Sequence, residues 1–178
     1  MSKQNQSIPS FDGALLFYWM MATTTGWLLG WLLLPAIAVV TAGVGAGVMQ
    51  CVVLYRRIPR AWRWILATAA GWMAGLAIAI LVVPPGMGPL SGAVIGATTG
   101  TAQWVLLRGE VHWAGWWIVT SALAWATGLS LAPASGLVAL PRIVLSGVMP
   151  AVMTGITLEL LLQNPKEGEG ETASLRPQ

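Results

Sequence analysis

The sequence predicts an all-α fold, a polytopic membrane bundle of six transmembrane helices built from three helical-hairpin repeats. Three observations predict it. Charge is scarce: 8% of residues are charged against 56% hydrophobic. A soluble domain carries roughly a quarter charged residues, so this chain could not clothe a water-facing surface. The apolar sequence divides into six stretches, near 14–34, 36–55, 64–83, 89–107, 113–132 and 143–162, each close to the ~20 residues that cross a bilayer as a helix. Finally, eight of the nine basic residues fall on one face of that threading: Lys3, Arg56, Arg57, Arg60, Arg63, Arg108, Lys166 and Arg176. Only Arg142 falls on the other. Basic residues in short loops stay in the cytoplasm, so both termini are expected there and the chain in the cell (inner or plasma) membrane.

In chain order, residues 1–13 form a polar cytoplasmic tail. The first apolar run, Ala14 to Leu34, is long enough to span and has no small-residue cleavage site, so it reads as a retained helix. Residues 14–55 carry no charge. A single helix of that length would run about 63 Å, twice the hydrocarbon thickness, and must turn. Pro35, which cannot donate a backbone hydrogen bond, is the expected place. The later outer loops are plainer: Pro84-Pro85-Gly86-Met87-Gly88-Pro89 and Ala132-Pro133-Ala134-Ser135-Gly136. Pro150 is expected to kink the sixth helix. Residues 14–163 make the transmembrane domain, and 164–178, rich in Glu, Gly and Pro, read as a disordered cytoplasmic tail. Phe17, Tyr18, Trp19, Trp62, Trp64, Trp104, Trp113, Trp116 and Trp117 all fall at cytoplasmic helix ends, where indole and phenol rings favour the headgroup level. Cys51 is the only cysteine, which excludes an intrachain disulfide; it reads as a mid-span apolar residue.

The chain repeats itself, in units near 22–65, 67–118 and 120–163. Ala22-Thr23-Thr24-Thr25-Gly26-Trp27-Leu28-Leu29-Gly30 aligns with Ala67-Thr68-Ala69-Ala70-Gly71-Trp72-Met73-Ala74-Gly75 and with Thr120-Ser121-Ala122-Leu123-Ala124-Trp125-Ala126-Thr127-Gly128. On the even helices, Gly43-x-x-x-Gly47-x-x-Gln50 matches Gly96-x-x-x-Gly100-x-x-Gln103, and Ala151-x-x-x-Gly155 continues the series with Leu158 in place of the glutamine. Such self-similarity marks a repeat architecture. Two-span units enter the bilayer in the same sense, which predicts a pseudo-threefold axis along its normal. The small residues serve packing, because lipid tails are as apolar as Leu and only close backbone approach draws helices together there.

Thr23, Thr68, Ser121, Gln50 and Gln103 form a polar layer expected in the cytoplasmic half of the bilayer, beside Trp27, Trp72 and Trp125. It has two readings. One is interhelical hydrogen bonding, at about 0.6 kcal/mol per contact. The other is a site for a polar or amphiphilic small molecule walled by the Trp rings. Glu159 is the only carboxylate inside a span; its nearness to the helix end suggests headgroup water, against a proton or cation role. His112 and Glu110 share a loop and have too few companions for a metal site. Arg142 reads as a snorkelling cation. Arg56, Arg57, Arg60 and Arg63 lie between two apolar spans, the position of a topology signal or an anionic-lipid headgroup contact. That placement argues against nucleic acid as a partner. No metal-ligand cluster, phosphate loop or nucleophile–base pair is legible, and the sequence specifies no cofactor.

Gly100-Thr101-Ala102-Gln103-Trp104-Val105-Leu106-Leu107-Arg108 and the segment from Ala67 to Gly75 resemble the repeats of a loose group of uncharacterised bacterial multi-pass membrane proteins, which carry Gln-Trp-x-x-Leu-Arg followed by a Trp-rich helix. The resemblance covers most of 22–130 and implies a repeat fold with no known activity. Gln50 is followed by Cys51 instead of Trp, and the third unit lacks the motif. The leading functional expectation is a non-enzymatic accessory or scaffold subunit that meets the lipid bilayer and packs against other membrane subunits. The alternative is a small-molecule-binding or transport protein with a Gln/Trp-lined site. A membrane enzyme using Glu159 or His112 is the third.

Overall fold

The computed structural model of the chain describes residues 12–33, 37–134 and 139–166. They hold six helices: α1 (Gly13–Leu33), α2 (Ala38–Leu54), α3 (Arg63–Val82), α4 (Gly88–Leu107), α5 (Trp116–Ala134) and α6 (Ala139–Leu162). No strand occurs among the described residues, where Val111 and Pro165 form an isolated bridge. The all-α class is as the composition predicts. Two helices, Arg63–Val82 and Leu140–Leu162, are long and apolar enough to cross a membrane. The Pro35 turn, the Ser135-Gly136 part of an outer loop, residues 1–11 and the tail from 167 onward lie outside the described residues.

Among the described residues the backbone of each helix lies against its neighbours in chain order, and α6 closes on α1; tryptophan rings from α1, α3 and α5 meet across the centre. The result is a ring of six helices around a central axis. Two connections at one end share a backbone design. Arg60 and Trp113 each adopt the left-handed conformation, at φ 56° and 61°. The Ile58 N–H donates to Leu54 O, and the Val111 N–H to Leu107 O, both at 3.0 Å. The turn around Trp113 makes α5 begin at Trp116, later than the expected 113. Conversely α6 begins at Ala139, earlier than expected, because Pro141 falls in its first turn, where no N–H is required. The fifth helix also runs on through Pro133 to Ala134. Asp12 starts α1: its Oδ1 accepts the N–H groups of Ala14 and Leu15, each at 3.1 Å, as an N-cap aspartate does.

Small residues set the helix separations. A Cβ on Gly26 would strike the Gly45 and Ala46 backbone, one on Gly30 the Ala42 backbone, and one on Gly71 the Thr98 and Thr99 backbone. These are backbone-to-backbone approaches that any side chain would hold open. Gly43 and Gly147 act differently, leaving room for the rings of Trp72 and Trp27. Large apolar side chains point outward instead, among them Val52, Leu66, Ile80, Leu81, Val82 and Leu123, with Leu81 83% exposed.

Candidate functional site

The axis is closed by two triangles of tryptophan. Trp19, Trp64 and Trp117 meet edge to face, with ring centroids 5.7–6.0 Å apart. Trp27, Trp72 and Trp125 meet at 4.8–5.7 Å. Each pair on one helix is eight positions apart, so both rings emerge on the same helical face. This corrects the aromatic-belt expectation for three residues. Trp19, Trp64 and Trp117 are 0%, 1% and 1% exposed and point inward. Trp62, Trp113, Trp116, Phe17 and Tyr18 are exposed. Trp104 is half-buried under the Arg108 guanidinium, 5.1 Å from the ring centroid.

Between the triangles lies the polar layer. Gln50 Nε2 donates to Thr23 Oγ1 at 3.0 Å, and Gln50 Oε1 accepts the Trp64 Nε1–H at 2.9 Å. Gln103 repeats both contacts one hairpin on: Nε2 donates to Thr68 Oγ1 at 2.8 Å and Oε1 accepts the Trp117 Nε1–H at 2.9 Å. Thr68 in turn donates to Trp64 O. Each glutamine thus ties its own hairpin together and receives the tryptophan of the next.

At the third corner the Trp19 Nε1–H donates to Thr154 Oγ1 at 3.0 Å, and Thr154 donates to Pro150 O at 2.6 Å. Thr154 therefore stands where the glutamines stand. The alignment that set Leu158 opposite them is one helical turn out, and Leu158 is a buried apolar residue beside Leu54 and Leu107. The cause of the slip is that Ala151-x-x-x-Gly155 has the same spacing as the true pair, Gly147-x-x-x-Ala151.

A threonine is too short to do both jobs of a glutamine. Ser121 Oγ, in the position of Thr23 and Thr68, has no hydrogen-bond partner among the described residues, and neither does Thr99 Oγ1. Both residues are buried, 3% and 4% exposed, and both line one small cavity with Gln50, Gln103, Trp117 and Thr154. Its volume is about 20 Å³, room for a single water. The second triangle is held otherwise: the Trp27 Nε1–H donates to Ile143 O at 3.0 Å, with Gly43 and Gly147 clearing space.

Glu159 is buried, 3% exposed, which corrects the expectation that it reaches headgroup water. Its Oε1 accepts the Asp12 N–H at 2.7 Å and Gln163 Nε2 at 3.0 Å. The close of α6 lies against the start of α1, where unpaired N–H groups and the helix dipole favour a carboxylate. Asp12 Oδ2 pairs with Arg57 at 2.8 Å. That guanidinium, then the Leu15 N–H, holds the Asp12 carboxyl below its usual value. Arg56, Arg57, Arg60 and Arg63 are all exposed at this end of the ring, with Arg63 over the Trp62 ring at 5.8 Å. His112 is exposed and its backbone N–H donates to Asn164 O. Among the described residues no three metal-ligating side chains converge. Cys51 is buried in the last turn of α2 and not mid-helix.

Gln50, Gln103, Thr23, Thr68 and Ser121 are thus brought together, with Trp27, Trp72 and Trp125 as one wall. Sequence reasoning missed Thr154, Thr99, Asp12 and the Trp19 triangle. The triangle had a signal, since Trp19, Trp64 and Trp117 recur eight positions before the aligned tryptophans. Asp12 had one too, an Asp just before an apolar run. Compared with protein-family models, curated proteins and solved structures, the chain matches none.

Proposed function

We propose that this chain is a non-enzymatic integral membrane protein, an accessory or scaffold subunit of three related hairpins around a pseudo-threefold axis along the membrane normal. One observation carries the reading: the molecule is packed at its centre and apolar on its outside. Between the two tryptophan triangles Gln50, Gln103, Thr23, Thr68 and Thr154 are hydrogen-bonded within the fold, and Ser121 and Thr99 face a space of only about 20 Å³. A space that size suits one water and not an amphiphile. The outer faces of α2, α3 and α5 carry Val52, Ile80, Leu81, Val82 and Leu123, a surface suited to lipid tails and to the helices of other subunits. The shared loop geometry at Arg60 and Trp113, and the matching bonds of Gln50 and Gln103, support the hairpin repeat. The basic cluster Arg56, Arg57, Arg60 and Arg63 favours six spans with both termini cytoplasmic.

Alkaline extraction of membranes tests the location: the chain should remain in the pellet. In a Cys51→Ser background, a cysteine introduced at position 60 should resist an impermeant thiol reagent in intact cells. Gentle-detergent purification then tests the role. A stoichiometric membrane partner is the expected outcome, and a small molecule retained on the axis overturns the scaffold reading.

A further inference from the structure

Two large grooves mark the outer surface, and they differ in charge. One, of about 820 Å³, runs past the α3–α4 turn at Pro84, Pro85, Gly86 and Met87, and no charged residue lines it. The other, of about 760 Å³, lies between α1 and α2. Its walls are apolar, with Leu15, Met21, Met49 and Val52 among them, and it ends at Arg56 and Arg57. Arg57 is engaged by Asp12. Arg56 is exposed and makes no hydrogen bond or ion pair among the described residues. Tyr18 and Tyr55 flank the same end.

We propose that the α1–α2 groove binds one anionic phospholipid, with an acyl chain along the apolar wall and its phosphate on Arg56. The proposal rests on the membrane reading above and goes beyond it, since most of the exterior would meet lipid without selecting it. The volume falls within the range of small-molecule sites. A guanidinium offers a planar fork of donors that matches a phosphate in geometry and charge. Tyrosine hydroxyls suit the level at which glycerol and phosphate sit. Arg57 is already neutralised by Asp12, which leaves Arg56 as the cation of this groove that can take the phosphate. The uncharged groove at the other end serves as an internal comparison: similar room, and nothing to tell one headgroup from another.

The test uses the full chain in a mild nonionic detergent, with phosphatidylglycerol or phosphatidylcholine added at equal mole fraction, and retained lipid counted by native mass spectrometry. Phosphatidylglycerol should be retained about fivefold better, the effect of one basic side chain near an anionic headgroup. Arg56→Gln should erase that preference. Arg60→Gln, which removes an exposed cation outside the groove, should leave it intact. Val52→Trp, at an exposed position of the wall, should lower retention of both lipids. Free glycerol phosphate should neither bind measurably nor raise thermal stability. Equal retention of the two lipids by wild type overturns the site while leaving the membrane reading standing. So does an Arg60→Gln loss as large as that of Arg56→Gln, which would mean diffuse surface charge. A dimer that Val52→Trp dissociates overturns it in favour of a second copy in the groove. A chain that stays folded and monodisperse without detergent defeats the membrane reading and the lipid site together.

Discussion

The two tryptophan triangles stand on the same three helices and are held by different means. In the triangle of Trp19, Trp64 and Trp117, every ring N–H donates to a side chain on another hairpin, namely Thr154, Gln50 and Gln103. In the triangle of Trp27, Trp72 and Trp125, Gly43 and Gly147 make room for rings, and the Trp27 N–H finds a backbone carbonyl. The first arrangement specifies register, because a hydrogen bond has one direction and a narrow length. The second specifies only closeness, because a missing Cβ permits an approach without aiming it. The lesson is that hairpins of this kind are aligned by the polar layer and compacted by glycine.

The sharpest way to break the comparison is Trp64→Ala. It removes a fully buried ring and leaves Gln50 Oε1 without its donor. Denaturant or thermal unfolding in detergent should show a loss of about 3–5 kcal/mol; a cost under about 1 kcal/mol would mean the triangle is not a core. Next comes Gly43→Val in the other triangle. Its side chain would occupy the space of the Trp72 ring, and the expected loss is about 1–3 kcal/mol, the range for overpacking. An unchanged unfolding midpoint would show that Trp72 simply moves aside.

Gln50→Leu should cost about 1 kcal/mol, two interhelical contacts at roughly 0.6 each. Its signature is a blue-shifted tryptophan emission, because the buried Trp64 N–H loses a polar acceptor and faces an apolar side chain instead. Thr154→Gln should work in the opposite direction. An amide there could receive Trp19 and also reach Ser121 Oγ, as Gln50 reaches Thr23. A gain of about 0.6 kcal/mol is expected, and a lower unfolding midpoint would mean the third corner is not built like the other two.

The smallest effect is the pH response of Asp12. Its folded-state pKa is depressed by Arg57 below the usual 3.8. A depressed acid stabilises the fold above its unfolded pKa, and that contribution is lost as pH falls through the folded value. The difference in unfolding midpoint between wild type and Asp12→Asn should therefore be steady from neutral pH to about 5 and shrink below about 4. A difference that grows on acidification would reverse the assigned sign.

Much of the helix pattern was legible in the chain, and the errors are informative. Six apolar runs became six helices, since charge scarcity and run length leave little else. Boundaries moved where a local device intervened: the left-handed Trp113 delays α5, and a proline tolerated in the first turn lets α6 begin early. The alignment of the third unit slipped because small residues recur every four positions along α6, so spacing alone offers two registers. Only the bond from Trp19 to Thr154 chooses between them. The aromatic residues at the helix ends looked alike in sequence, yet three turn inward and five outward. Period alone separates them, at the cost of knowing which helix face looks at the axis.

By itself, then, the sequence determined an all-α chain of six apolar helices, the residues small enough for backbones to touch, and the polar and aromatic types that recur at matched places. These follow from composition and spacing, which act within one helix or between residues a few turns apart. Tertiary structure alone decided that the recurring tryptophans meet as two triangles on one axis, that Thr154 completes the layer, and that Ser121 and Thr99 have no hydrogen-bond partner among the described residues. It also decided that Glu159 is covered by the start of α1. Those outcomes depend on closing a ring between the first helix and the last, and the pairing of α1 with α6 is encoded in no local pattern.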